Sequence, residues 1–258
     1  MTDAAAHSAC LRGLAIMEAV AQSATPLSLD QISVRSEIPK PTAHRLVRVL
    51  VAAQVLLRET HAKTYSAGHR LSELALGVLT NSPLRAARHA ILKGLVEQIG
   101  ETCNFTTLDG NEIVYIDRVE AGWPLRLHLQ PGSRVPIHCT SSGKLFLSQM
   151  PASLRRRLMF GAPLKRYTAK TIIDPKRLEA ELKRIRKTRI STDDEGFLSG
   201  LISVAIPVYD TRKRMIATVA VHAPSARMSL KTALGHVPLL REAAIELGKI
   251  YGGLKKPK

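Results

Sequence analysis

Two groups of side chains in this sequence have the types and spacing to act on a partner. The first lies between Pro39 and Lys63. Read as a helix, Lys40-Pro41-Thr42-Ala43-His44-Arg45-Leu46-Val47-Arg48-Val49-Leu50 puts Ala43, Leu46, Val47 and Leu50 on one face. Thr42, His44, Arg45 and Arg48 fall on the other, free to touch something. Arginine can bridge guanine O6 and N7 or grip a phosphate, and threonine and histidine reach phosphates or base edges. Val55-Leu56-Leu57-Arg58, a polar tip and Thr64-Tyr65-Ser66 follow as strand, turn and strand, with cations at Arg58 and Lys63. The second group is Thr140-Ser141-Ser142-Gly143-Lys144, three hydroxyls leading into a predicted helix. Backbone N–H groups gather at such a helix start and suit a carboxylate or a phosphate. It is not a P-loop, which would need glycine in place of His138 and serine or threonine in place of Leu145.

Other combinations supply residue types without the geometry. Cys139 beside His138, with Asp193 and His222 elsewhere, has the makings of a cysteine-dependent hydrolase. Adjacent side chains on an extended segment point apart, however, and the spacing matches no triad, so no residue is assigned as catalytic. Cys10, Cys103, Cys139 and the scattered histidines lack paired-ligand spacing, so neither a metal nor a cofactor is expected.

The elements that must hold the first group can be read in order. Residues 10 to 23 carry Cys10, Leu14, Met17 and Ala21, with Ile16 and Val20 beside them, and predict a core-facing helix. Ser28-Leu29-Asp30-Gln31 has the form of a capping box opening a second helix, buried through Leu29, Ile32 and Val34. Ile38-Pro39 breaks that helix, and Pro41 suits the first turn of the next. Two short helices, a turn and a third helix with a basic face, followed by a hairpin, make a winged helix-turn-helix.

Beyond it, residues 69 to 79 predict a short amphipathic helix through Leu71, Leu74, Ala75 and Val78. A helix from Leu84 to Ile99 is closed by Gly100. The period then changes to strands. Cys103–Leu108 and Glu112–Val119 flank the Asp109-Gly110 turn signal, and further strands are predicted at Leu125–Leu129, Ile202–Val208 and Met215–His222. Asp174-Pro175 opens a basic helix to about Lys187, and a last helix is predicted from Ser229 to Tyr251. Helices at both ends of an antiparallel set of strands give an α+β domain.

At 258 residues and 45% hydrophobic content the chain can build two cores. No run approaches the roughly 18 apolar residues of a membrane span and the start lacks a signal-peptide pattern, so no membrane partner and a cytoplasmic location are expected. The formal charge of +17 suggests a polyanion partner, but residues 1 to 80 hold 8 Lys and Arg against 6 Asp and Glu. Most of the excess lies elsewhere, in runs such as Arg155-Arg156-Arg157 and Lys183 to Arg189 that read as solvated surface. The basic face must therefore be judged on its geometry.

The segments Leu11-Arg12-Gly13-Leu14-Ala15-Ile16-Met17, Leu27-Ser28-Leu29, Pro39 to Leu50 and Tyr65-Ser66-Ala67-Gly68-His69-Arg70-Leu71 resemble the IclR family of bacterial transcription regulators, and the resemblance covers nearly the whole length. It implies a winged helix-turn-helix over residues 1–68, a linker helix over 69–80 and a GAF-like effector-binding and oligomerisation domain over 81–258. The expected partners are a double-stranded DNA operator, a small carboxylate effector and further copies of the chain, as homodimer or homotetramer. Lys40, Thr42, His44, Arg45, Arg48, Arg58 and Lys63 are the expected DNA contacts. The family usually has Lys-Ser-Thr where this chain has Lys40-Pro41-Thr42, and Pro41 has no N–H to offer a phosphate, which shifts weight to Thr42 and Arg45. The resemblance carries the family's ligand-lining positions to Leu127, Val135, Ser141, Ser142, Asp193, Leu201, Ser203, Ala220 and His222. Two serines of the family are replaced by Ala220 and His222, which leaves open a small keto acid or a larger, aromatic carboxylate. Asn104, Arg126 and His128 stand beside them on neighbouring strands. Two other readings remain: a metabolite-binding interaction protein without DNA binding, and the cysteine-dependent hydrolase.

Overall fold

In the computed structural model the described residues are 8–23, 25–59, 63–81, 84–123, 129–160 and 163–252. The chain divides into two compact units, Met1–Val78 and Leu79–Lys258. Among the described residues no helix is long and apolar enough to cross a membrane.

The first unit contains α1 (Ala9–Ala21), β1 (Leu27–Ser28), α2 (Leu29–Ser36), α3 (Lys40–Ala52), β2 (Leu56–Glu59), β3 (Thr64–Ala67) and most of α4 (His69–Asn81). The capping box forms as its sequence dictates. Ser28 Oγ accepts from Gln31 N at 3.3 Å, and Gln31 Oε1 accepts from Ser28 N at 2.8 Å. Helix α2 ends with Glu37 in the left-handed region, φ 57°, and Ile38 N returns to Ser33 O at 3.1 Å. That turn buries Ile38 and redirects the chain into α3, where Pro41 occupies the first turn. The hairpin pairs Leu56 with Ala67 and Glu59 with Thr64, and β1 adds a third strand by pairing Leu27 with Tyr65. A side chain at Gly68 would collide with the backbone of Gln54, so the wing closes onto the end of α3 only with glycine there.

The core of this unit is Ile16, Val20, Leu27, Ile32, Ile38, Ala43, Val47, Leu56 and Tyr65. It corrects three expectations. In α1 the buried face is Ile16, Ala19 and Val20, while Cys10, Leu14 and Ala21 are exposed. Val34 is 77% exposed, because α2 is too short to bury more than the stripe through Ile32. In α4, Leu74 and Val78 are exposed as well, so among the described residues nothing covers these two positions of its apolar stripe.

The second unit is built on a six-stranded antiparallel sheet in the order β6-β5-β4-β9-β8-β7. Its strands are β4 (Thr102–Asp109), β5 (Glu112–Val119), β6 (Arg134–Pro136), β7 (Ser191–Asp194), β8 (Leu201–Tyr209) and β9 (Met215–Pro224). Gly110, φ 61°, lies in the two-residue turn between β4 and β5. Helices α5 (Leu84–Ile99) and α10 (Val237–Gly252) cover one face, joined through Arg88, Phe105, Asp117 and Tyr251. Helices α6 (Ser141–Gln149) and α8 (Pro175–Thr188) cover the other, over a core of Ile113, Tyr115, Leu145, Leu147, Leu178, Leu182, Ala205 and Ala220. Asp174 caps α8 by accepting from Arg177 N at 2.7 Å.

Here too the structure differs from expectation. The short strands β1, β6 and β7 and helix α7 (Ala152–Phe160) were not legible. The last helix is two, α9 (Leu230–Gly235) and α10, because Pro238 can stand only in the first turn of a helix and so starts a new one. Of the strand expected at Leu125–Leu129, residues 125–128 lie outside the described residues, and Leu129 is not in a strand.

Candidate DNA-reading face and effector site

On α3 the geometry separates two faces, with Val49, 60% exposed, the one large apolar side chain on the outward one. Ala43 and Val47 are fully buried and Leu46 and Leu50 pack against them, whereas His44, Arg45 and Arg48 are exposed and Thr42 is half-buried. Lys40 is exposed but paired with Asp30 across the helix-turn-helix at 2.5 Å. Arg58 on β2 and Lys63 at the wing turn, φ 49°, are exposed, and residues 60–62 of the wing tip lie outside the described residues. One surface thus carries a partly apolar-backed row of cations with helical spacing.

In the second unit the sheet register assembles a row of polar side chains on the face under α6. Arg118 on β5 stands opposite Asn104 on β4, Asn104 opposite Ala220 on β9, His222 opposite Ser203 on β8, and Ser203 opposite Asp193 on β7. All are buried. Alternation along a strand would send Tyr115 and Arg118 to opposite faces. A bulge at Ile116 of β5, where the register shifts between Phe105 and Thr106 of β4, sets Asp117 opposite Phe105 and Tyr115 opposite Thr106, which returns Arg118 to the α6 face. The Arg118 guanidinium then donates to Asn104 Oδ1 at 3.1 Å and to Glu120 Oε1 at 3.1 Å.

The N-terminus of α6 closes this row. Thr140 caps the helix by accepting from Gly143 N at 3.1 Å and donates to Pro136 O at 2.8 Å. A side chain at Gly143 would collide with the Ile137 backbone, so the approach of the loop to the helix requires glycine. Ser141 and Ser203 share a hydrogen bond of 2.7 Å. Thr218 donates to Ser142 at 2.8 Å, so its bond to Thr106, 2.6 Å, must be donated by Thr106. Each set of paired hydroxyls uses all but one of its protons, and one O–H in each stays available to a further acceptor.

Charge in the site is set by burial. Desolvation pushes the Asp193 carboxyl up to about 6, against the Lys144 ammonium and the N–H groups of Gly196 and Phe197. Gly196 N donates to Asp193 Oδ1 at 2.6 Å. Lys144, buried under α8, is lowered by desolvation and held charged by Asp193 and Glu181, with Glu181 Oε1 at 3.8 Å. Burial, with the Arg118 charge second, brings His222 down to about 3, so the ring is neutral near pH 7. Burial and then the Asp193 carboxylate push the Cys139 thiol up to about 12. His138 is engaged instead with Lys165 O at 2.9 Å.

The structure thus brings Ser141, Ser142, Asp193, Leu201, Ser203, Ala220 and His222 together as buried residues around one sheet face, with Val135 in the core beside them. Leu127, with Arg126 and His128, lies outside the described residues. The residues that sequence reasoning missed are Arg118, Thr106 and Thr218, all of which the register places in the row or beside it. The available signal was the adjacent pair Asp117-Arg118 inside an otherwise apolar strand. Two open grooves, about 760 Å³ between α7 and α8 and about 460 Å³ between β8 and α10, share no residue with this row.

A winged helix-turn-helix joined to an α+β unit with a buried polar row defines a two-domain DNA-binding regulator. The family model for the IclR helix-turn-helix domain matches residues 9–59, and the one for the bacterial transcriptional regulator IclR C-terminal domain matches residues 76–248. The chain belongs to the IclR family of bacterial transcription regulators. It is 44% identical to the probable transcriptional regulator SauR of Cupriavidus necator, over 95% of this chain and 97% of that one. The crystal structure of the Thermotoga maritima IclR superposes with a TM-score of 0.63 at 26% identity, covering 94% of this chain and 98% of that one. A double mutant of the inducer-binding domain of the Acinetobacter transcription factor PobR, in complex with 3-hydroxybenzoic acid, superposes with a TM-score of 0.59 at 27% identity. It covers 64% of this chain and 97% of that domain.

Proposed function

We infer that this regulator binds operator DNA through α3 and its wing, and that a small carboxylate held under α6 tunes that binding. Arg45 and Arg48 read bases or grip phosphates, Thr42, His44 and Lys40 flank them, and Arg58 and Lys63 meet the backbone from the wing. The observation that carries this reading is the division of α3 between a buried apolar face and an exposed face that carries His44, Arg45 and Arg48. The bound 3-hydroxybenzoic acid in the PobR domain supports a carboxylate, and the substitutions at Ala220 and His222 favour a ligand other than that of the two-serine members. Self-association positions two wings on successive major grooves, about 34 Å apart. The ligand can act only through a difference in its affinity for the arrangements that fit or misfit that spacing.

Electrophoretic mobility shift of DNA from upstream of the protein's own coding region, titrated with salt, tests the reading. Wild type shifts the DNA, and the Arg45→Ala, Arg48→Ala double variant loses at least tenfold in affinity with a salt slope smaller by about 1 to 2. Unchanged affinity and slope would refute α3 as the reader, and no salt-dependent shift by wild type would favour a metabolite-binding protein without DNA binding. A hydrolase is disfavoured by Cys139, whose thiol burial keeps protonated and un-nucleophilic near pH 7.

A further inference from the structure

Among the described residues, the buried Asn104 Nδ2 and His222 Nδ1 of the sheet row have no partner. Both belong to residues on the face under α6, and neither is open to bulk water. The orientation of Asn104 is fixed by its neighbour. Arg118 donates to Oδ1, and a guanidinium can only donate, so the amide must present oxygen to Arg118 and its NH2 group elsewhere. His222, neutral near pH 7, carries one ring proton and can present an N–H without adding charge. A donor left unsatisfied in a buried site opposes folding unless something completes it.

The register brings the two together. Asn104 faces Ala220 and Thr102 faces His222, so Asn104 and His222 are diagonal neighbours, about 7–8 Å apart along the backbone of adjacent strands. Beside both, opposite Asn104, stands Ala220, whose methyl group offers no hydrogen-bonding partner to either. Ser203, bonded to Ser141, lies beside His222 and continues the donor row.

We propose that Asn104 Nδ2 and His222 Nδ1 are the donors that receive the effector carboxylate, and that Arg118 is the positioning residue that turns the Asn104 amide toward it. This rests on the effector reading above and adds to it the residues that select an anion. Arg118 supplies the positive field, and the neutral donors supply direction. An uncharged amide of the same shape brings its own donors to this row and cannot accept equally from both.

Isothermal titration calorimetry on the full-length protein, with sodium benzoate, 3-hydroxybenzoate and pyruvate as probes and benzamide as the uncharged comparison, tests the proposal. Wild type is expected to bind at least one of the carboxylates and to bind benzamide at least tenfold more weakly than benzoate. Asn104→Asp replaces the donor with an acceptor that Arg118 still holds, and it should lose at least tenfold in carboxylate affinity. Asn104→Ala, which removes the donor without adding charge, should lose affinity in the same sense, so a folding defect in the aspartate variant does not decide the matter. In 15N-labelled wild type the His222 Nδ1–H resonance should move when the carboxylate that binds is added. Binding within threefold of wild type by both Asn104 variants overturns this assignment and leaves the effector reading standing, as does equal binding of benzamide and benzoate. No binding of any of the three carboxylates by wild type overturns the effector reading and the assignment together.

Discussion

Asp193 accepts a backbone N–H from Gly196 and feels the Lys144 charge, yet desolvation outweighs both and its carboxyl rises from 3.8 to about 6. A carboxyl raised in the folded state favours folding at low pH. Its contribution is fully present below the unfolded value near 3.9 and is lost as pH rises through about 6. His222 has the opposite sign, because a histidine held neutral stabilises above about 6.5 and loses that contribution as pH falls toward 3. The two windows overlap, so wild-type stability alone does not separate them. The comparison of Asp193→Asn with wild type does. The variant's relative stability should rise between about pH 4 and pH 7 by on the order of 2–3 kcal/mol, checked by urea unfolding at several pH values. A flat difference would show that Asp193 titrates normally.

At the scale of elements, the helix-turn-helix is held by local chemistry. Ser28 and Gln31 satisfy one another's backbone N–H groups at the start of α2, and Glu37 takes the left-handed turn that sends the chain into α3. Ser28→Ala should therefore cost about 1 kcal/mol of stability in thermal unfolding of the full chain. Because α2 sets the angle at which α3 leaves the turn, affinity for upstream DNA should fall more in this variant than in Gln149→Ala, a change within the second unit. Equal DNA affinity would mean that α3 is fixed by the core of Ile32, Ile38 and Val47 without the cap. The six-stranded sheet shows a different kind of control. Its bulge at Ile116 of β5 decides which face Arg118 joins, and so whether the charge belongs to the α6 side or to the cluster around Arg88 and Asp117.

For the molecule as a whole, the apolar side chains left in water point to self-association. In the first unit Leu11 is 41% exposed, Leu14 46%, Leu74 65% and Val78 60%. A small winged unit cannot cover these residues itself, and burying them against a second copy removes that apolar surface from water. The double variant Leu14→Glu, Leu74→Glu should shift the protein toward monomer in light scattering after size exclusion, and should weaken binding to a two-half-site DNA more than to a single half-site. An unchanged mass would place the self-association surface elsewhere.

The sequence by itself determined the class of fold, the capping box, the Asp174-Pro175 helix start, the Asp109-Gly110 hairpin and the exposed cations of α3. Each of these depends on residues a few positions apart, whose hydrogen bonds and steric preferences act locally. It also brought out Ser141, Ser142, Asp193, Ser203 and His222 through their resemblance to family positions, and strand alternation set Ser203, Ala220 and His222 each toward one side. It did not show that Leu14 and Val34 face outward, because helical spacing identifies a stripe and not what will cover it. Nor could it show the row from Arg118 to Asp193, since that row runs across five strands from distant parts of the chain. Its alignment depends on strand order, register and one bulge, which are settled by how α6 and the strands pack together. The tertiary structure alone decided that Arg118 holds the Asn104 oxygen, and so which way the Asn104 amide is turned.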